Sequence, residues 1–301
     1  MPPPMEAPVS TARRIAADPS RPYLWMLFGS ACFGAMAALT KLAAERCDWR
    51  IVTFARAGFM LVFAAAWSGL RGAPFVLFRP AAMWVRSAAG TAAMLCTFYA
   101  YTHLPLGDAS TLIYMVPVWV TLLSWPLLGE RPTLRISLAV GLCLLGVTLI
   151  ARPHFRDAGL GAVAALASSF FTATVMMSLK RLQNVDPRTV VVHFSLLSTL
   201  AFAILCGASA EARAGLRAID LPLLGLLVGV GLVGTAGQIG LTRAFAEGPP
   251  SRVSLVGMTQ ILFGVLADLA VWSRGYDAWT LLGMGLVAAP TAWILLRGRG
   301  S

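Results

Sequence analysis

Charge is what this sequence has least of. Lys, Arg, Asp and Glu make up 12% of its 301 residues, against roughly 25% in a soluble domain. So few charges cannot cover a water-facing surface. With 58% hydrophobic residues and a mean hydropathy of +0.75, the chain reads as an all-α integral membrane protein. Catalytic signatures are also missing. There is no His-Glu-x-x-His, no Asp-rich pair, no Gly-x-Ser-x-Gly and no phosphate-binding loop, which argues against the common hydrolase chemistries and against ATP-driven transport within this chain. His103, His154 and His193 are scattered. No catalytic residue, metal site or cofactor is predicted. The five cysteines, Cys32, Cys47, Cys96, Cys143 and Cys206, are odd in number and lack metal or redox spacing, so they read as small buried apolar residues.

Lysine is almost absent. Lys41 and Lys180 are the only two, leaving 24 − 2 = 22 arginines among the basic residues. The formal charge of +11 might suggest nucleic acid. The basic residues lie between apolar runs, however, as helix-end anchors do, and no nucleic-acid module is predicted.

What is abundant is long apolar sequence. A spanning helix needs about 20 such residues. Ten candidates run over 23–40, 51–70, 81–103, 107–128, 133–151, 159–179, 188–209, 220–246, 251–272 and 278–297. Residues 1–22 are rich in Pro, Ala and Arg and read as a disordered cytoplasmic tail. They lack the compact apolar core and cleavage site of a signal peptide.

The chain is organised around an internal repeat. Thr97–Glu130 forms two apolar arms joined by Leu104-Pro105-Leu106-Gly107-Asp108, with Pro117 inside the second arm. A shift of 144 residues lands it on Leu241–Arg274, so that Pro105 meets Pro249, Ala100 meets Ala244, Tyr101 meets Phe245 and Ser110 meets Ser254. A repeat sets architecture and is weighed before local detail. The first helices also match, at an offset of 139 that places Lys41 on Lys180. Two five-helix units follow, 23–151 and 159–297. Five is odd, so the second unit enters the membrane from the opposite side, giving the inverted repeats of many secondary transporters.

Lys and Arg set the orientation. With the N-terminus inside, inner segments carry fifteen (Arg86 counted among them) and outer segments eight, Arg56 lying within a span. Both termini are predicted in the cytoplasm of a bacterial inner membrane. Small residues supply packing faces: Ser30, Gly34 and Ala38 in the first helix, Gly225 and Gly229 in the eighth, then Gly231, Gly234, Gly237 and Gly240 at three-residue steps.

The stretch ASTLIYMVPVWVTLLSWPLLGERPTLRISLAVGLCLLGVTLIARP resembles the end of an EamA-type repeat of the drug/metabolite transporter superfamily. Pro117, Gly129, Glu130, Gly141 and Gly146 carry the likeness, and GQIGLTRAFAEGPPSRVSL looks like the turn between the eighth and ninth helices of that family. In the second half Ile261 replaces the mid-helix proline and Ser273-Arg274 replaces Gly-Glu, a departure from strict symmetry. The resemblance implies ten helices in two inverted repeats around a central cavity, and carriage of a small polar metabolite. It looks most like the branch that includes S-adenosylmethionine and riboflavin carriers, so amino-acid-like or nucleoside- and vitamin-like substrates are expected. Coupling to protons or to an exchanged metabolite, and a homodimer, are further expectations. The partners are a small-molecule substrate and membrane lipid. A membrane enzyme or a channel is the alternative class; inverted repeats and the missing motifs argue against both.

Polar residues inside a membrane are costly and mark function by default. Arg56 and Asp268 are each a few residues from the outer end of a helix and could pair. Gln238 and Gln260 lie deeper, where an amide must face another helix or a cavity. Tyr99, Tyr114 and Trp119 offer aromatic faces on the first hairpin. These seven are the candidate substrate-binding residues. Trp25, Trp84, Trp272 and Trp279 read as interface-belt residues. The cavity so drawn suits a neutral or zwitterionic molecule, since a polyanion would want several deep arginines.

Overall fold

The computed structural model describes residues 20–70, 80–104, 106–129, 131–151, 159–272 and 277–297. Their ordered elements are all helices: α1 (Arg21–Ala44), α2 (Trp49–Leu70), α3 (Ala81–His103), α4 (Leu106–Ile113), α5 (Val116–Leu128), α6 (Leu134–Ala151), α7 (Gly159–Lys180), α8 (Pro187–Ala208), α9 (Ala210–Arg217), α10 (Leu221–Glu247), α11 (Pro250–Gly257), α12 (Gln260–Trp272) and α13 (Ala278–Arg297). Seven runs are long and apolar enough to cross a membrane, two of them formed by α4–α5 and α11–α12 taken together; α6 and α13 contain shorter apolar stretches. The expected tail, residues 1–19, lies outside the described residues.

Local chemistry sets the helix ends. Asp186, Ser209 and Asp220 each accept a backbone N–H from the first turn of α8, α9 and α10, satisfying donors that a helix start leaves free. Proline occupies the first turn of α1, α8, α10 and α11, where its missing N–H costs nothing. Gly129 ends α5 with φ 72°, the left-handed conformation that glycine adopts without penalty. The following Glu130 lies outside the described residues.

The two broken arms correspond residue for residue. Adding 144 to the bounds of α4 and α5 gives 250–257 and 260–272, the bounds of α11 and α12. The first arm breaks at Tyr114-Met115, which places Pro117 in the first turn of α5. The second breaks at Met258-Thr259 with no proline. There the Thr259 hydroxyl donates to the Val256 carbonyl at 2.7 Å and Ser30 Oγ donates to the Gly257 carbonyl at 3.4 Å. Side chains thus take up carbonyls near the break, as lipid requires. The substitution of Ile261 for proline does not remove the break.

Helices pack mainly across the two halves of the chain. The most extensive interfaces are α1 with α10, α3 with α7, α2 with α8 and α6 with α13. Exchanging the halves carries α1–α10 onto α7–α3 and leaves the other two pairs in place. Glycine permits the closest crossings. A Cβ on Gly240 would lie 2.9 Å from the Trp25 carbonyl oxygen and 3.2 Å from Gly29 Cα. One on Gly34 would lie 2.5 Å from Phe263 Cβ, so the small face of α1 packs on α12. On α10, Gly231 meets Phe59, Gly234 meets Met36 and Gly237 meets the ring of Phe33, whereas Gly225 touches nothing. At the α3–α7 crossing serine replaces glycine: Ser168 Oγ lies 3.0 Å from the Ala93 carbonyl and 2.6 Å from Thr97 Oγ1.

At one end of the bundle the loop charges pair. Arg46 meets Asp220 at 2.6 Å and Arg50 meets Glu211 at 3.2 Å. At the other, Lys180 Nζ donates to the Gly248 carbonyl at 3.1 Å, tying α7 to the turn between α10 and α11.

The crossings give an unequal expectation for glycine substitutions. Gly240→Ala forces a methyl against backbone and is expected to cost about 1–3 kcal/mol, seen as a lower thermal midpoint in nanodiscs. Gly141→Ala, where a Cβ meets nothing within 4 Å, is expected to leave the midpoint unchanged or raise it.

Candidate functional site

One cluster of buried polar groups joins α2, α3, α8 and α10. Arg86 is the largest. It is the sixth residue of α3, about 8 Å from the helix start at 1.5 Å per residue, and only 1% exposed. Sequence position assigns it to an inner helix-end anchor; the structure corrects that, because its side chain turns inward. Its Nη2 donates to Gln238 Oε1 on α10 at 2.9 Å. Its guanidinium lies 3.9 Å from the ring centre of Phe194 on α8. Nε and Nη1 are buried with no hydrogen-bond partner.

Arg56 reaches the same face of α10 from α2. A Cβ on Gly234 would lie 3.9 Å from Arg56 Nε and 3.1 Å from Met36 Sδ. Gly234 and Gln238 are one helical turn apart, about 6 Å along the axis, so the two arginines address neighbouring turns of one helix. Arg56 Nε is buried and unbonded, while the residue as a whole is half-buried. Neither arginine makes an ion pair among the described residues. A buried charge without a counter-charge costs several kcal/mol, and a neutral amide and a ring face offset only part of that.

A second layer fixes these groups. His193 Nδ1 lies 2.7 Å from Ser87 Oγ, and the His193 ring stands edge-on to Trp84 at 4.8 Å. Thr91 Oγ1 lies 2.9 Å from Ser198 Oγ. Both contacts join α3 to α8 on either side of Phe194, holding the ring under Arg86. Gly90 lets Phe194 pack close against α3, for a Cβ there would lie 2.8 Å from the Phe194 ring and 3.3 Å from Arg86 Nη1. A cleft of about 310 Å³ lined by Phe63, Ala66, Trp67, Leu232, Thr235 and Ala236 adjoins α10. It contains neither arginine.

The other expected residues scatter. Gln238 is buried and bonded. Gln260 is half-buried at the first position of α12, directly after the break. Tyr114 is half-buried at the corresponding break of the first arm. Trp119 belongs to the α5–α7 contact: its indole N–H donates to Ser169 Oγ at 2.9 Å and its ring stands edge-on to Phe170 at 5.6 Å. Tyr99 is 39% exposed and stacks on His103 at 3.9 Å, away from the arginines. The Asp268 side chain lies outside the described residues, and with it the expected pair with Arg56. Of the belt tryptophans, Trp279 is 60% exposed, whereas Trp25 lies under Arg243 at 4.5 Å and packs on α10. Sequence reading missed Arg86, Phe194 and His193. The available signal was an arginine inside the bounds of a span rather than beyond them.

The bond between Trp119 and Ser169 is open to a double-mutant cycle on thermal stability. Trp119→Phe and Ser169→Ala are expected to couple by about 0.6 kcal/mol, and by no more than about 1.7, as interhelical bonds in membranes do.

Comparison with known proteins agrees with this architecture. Residues 20–152 match the EamA-like transporter family. The pseudopaline exporter CntI of Pseudomonas aeruginosa is 29% identical over 273 residues, covering 88% of this chain and 92% of that protein. An uncharacterized transporter of Helicobacter pylori is 28% identical, covering 87% and 90%. Solute carrier family 35 member G1 of Homo sapiens is 25% identical, covering 71% of this chain and 61% of that protein. One solved crystal structure matches with a TM-score of 0.79 over 92% of this chain and 98% of the other, at 17% identity, a likeness of fold. Together these make the chain a multi-pass membrane transporter rather than an enzyme, with a small molecule as its substrate. Its residues 20–152 match the EamA-like transporter family, and the relatives it matches over most of its length include named transporters.

Proposed function

We propose that this protein is a secondary carrier of a small polar metabolite that works by alternating access between two inverted five-helix repeats, 23–151 and 159–297. The observation that carries this is the cross-half packing: each of the four largest helix interfaces joins one repeat to the other. A site between two such halves is exposed to one side or the other when they rock. The matching breaks at Tyr114-Met115 and Met258-Thr259 support the same reading, because broken helices expose backbone groups at the depth where a substrate crosses.

In this reading the chain spans a bacterial inner membrane ten times with both termini in the cytoplasm. Substrate contacts come from Arg56 and Gln238 beside α10 and from Tyr114 and Gln260 at the breaks. Trp119 shapes the α5–α7 wall. The substrate is amino-acid-like or nucleoside- and vitamin-like. The named function of the Pseudomonas aeruginosa relative, an exporter, supports outward transport. A proton or an exchanged metabolite drives it. The carrier is expected to pair as a homodimer.

Two experiments check this. Reporter fusions after Ser110 and Arg156 are expected to read outside and one after Arg297 to read inside; an external reading at Arg297 contradicts the topology. Tyr114→Ala, Gln238→Ala and Gln260→Ala are expected to reduce substrate flux in proteoliposomes at least tenfold while the protein still inserts. Wild-type flux in all three would show that these side chains only bond helices together.

A further inference from the structure

We propose that Arg56 and Arg86 form a two-cation receptor, on the Gly234–Gln238 face of α10, for an anionic oxygen group on the transported molecule, a carboxylate or a phosphate ester. The inference rests on the carrier reading and names the substrate class of its site.

Two observations carry it. First, two guanidinium groups approach successive turns of one helix, and neither makes an ion pair among the described residues. Two like charges buried along one helix face, where the dielectric is low, favour a counter-anion. Second, Arg86 has unsatisfied nitrogens. One guanidinium nitrogen bonds a neutral amide, one face rests on Phe194, and Nε and Nη1 are buried without partners. The edges that bind a carboxylate or phosphate through two parallel hydrogen bonds pair Nη2 with Nε or with Nη1; Nη2 is held only by the neutral Gln238 amide, and rotation of that amide would free a complete edge. Among the described residues no fixed carboxylate meets either arginine, so their charge is open to neutralisation by the cargo.

This replaces the neutral cavity expected from sequence. With Arg86 counted as an anchor, one deep arginine remained; with it inside, there are two. The zwitterionic class stays compatible, since an amino acid carries the required carboxylate.

Thermal stability of the purified full-length protein in lipid nanodiscs tests the proposal without a known substrate. The probes are succinate, citrate and inorganic phosphate, with succinamide as a neutral control and sodium chloride at matched ionic strength. Wild-type protein is expected to gain about 3–5 °C at probe concentrations near tenfold over Kd. Succinamide and chloride are expected to give no shift. A response to the carboxylates alone assigns a carboxylic acid cargo; a response to phosphate alone assigns a phosphate ester. Arg56→Gln and Arg86→Gln are each expected to abolish the response. Gln238→Glu places a permanent carboxylate on Arg86, so it is expected to raise the midpoint of the unliganded protein and to remove the anion response. It also serves if Arg86→Gln fails to insert. No anion-specific shift in wild type, or a shift that survives in Arg56→Gln and Gln238→Glu, overturns the proposal. The outcome is separable from the carrier reading: flux of a neutral substrate with no anion shift would sink the receptor alone, and an anion shift without flux would sink the carrier alone.

Discussion

The close crossing of α1 and α10 is the contact on which the rest depends. In a bilayer, apolar side chains gain nothing by leaving lipid for each other, so helices associate through close backbone approach and internal polar bonds. Gly29 and Gly240 allow the first, with Gly240 close enough to the Trp25 carbonyl that a methyl group would not fit. This crossing joins the first half of the chain to the second. It turns the opposite side of α10, with Gly231, Gly234 and Gln238, toward Phe59, Arg56 and Arg86. The crossing of α3 on α7 has the same place in the other half but a different chemistry, with Ser168 bonding the Ala93 carbonyl and Thr97 where α1–α10 uses glycine. One crossing is held by contact and the other by hydrogen bonds. That difference is where the exchange symmetry of the two halves is broken.

Polar bookkeeping inside the bundle separates structural from functional groups. Ser87 and His193, Thr91 and Ser198, and Trp119 and Ser169 bond one another across helices. Such pairs hold helices together. Arg86 and Arg56 are the exceptions, retaining unbonded buried nitrogens. Thr121 Oγ1 and two nitrogens of Arg188 share that condition, but Arg188 sits at the start of α8 with Asp186 at 3.5 Å. The arginines inside the spans have no such neighbour among the described residues.

Much of the architecture was legible in the sequence. The 144-residue offset rested on a few identities such as Pro105 with Pro249, yet it reproduces the bounds of the broken helices to the residue. The period is carried by where turns and small residues fall, which a sequence displays directly. Pro117 was legible as a disturbance, but it starts α5 rather than kinking a continuous helix, and the partner break at Thr259 forms without any proline. Sequence shows the residue, not which carbonyls find a side chain nearby. The site was less legible. Gln238 was singled out because an amide has no business facing lipid, and it is bonded to Arg86. Arg86 was missed because an arginine six residues into a span can equally turn outward to the interface. Only the packing of α3 against α8, with Gln238 of α10 within reach, decides the direction. Tyr99 shows the converse: a plausible site residue by type that stacks on its own helix.

Movement of a small anionic metabolite through the two halves is what the carrier proposal and the two-arginine proposal jointly require. Untargeted metabolite profiling of cells and medium tests it most directly, comparing cells that make the wild-type protein with cells that make Arg86→Gln at equal membrane abundance. The account expects at least one carboxylate- or phosphate-bearing compound to redistribute between cell and medium with the wild-type protein and to stay in place with the variant. Profiles that do not differ, or a redistribution confined to cationic compounds, would contradict it.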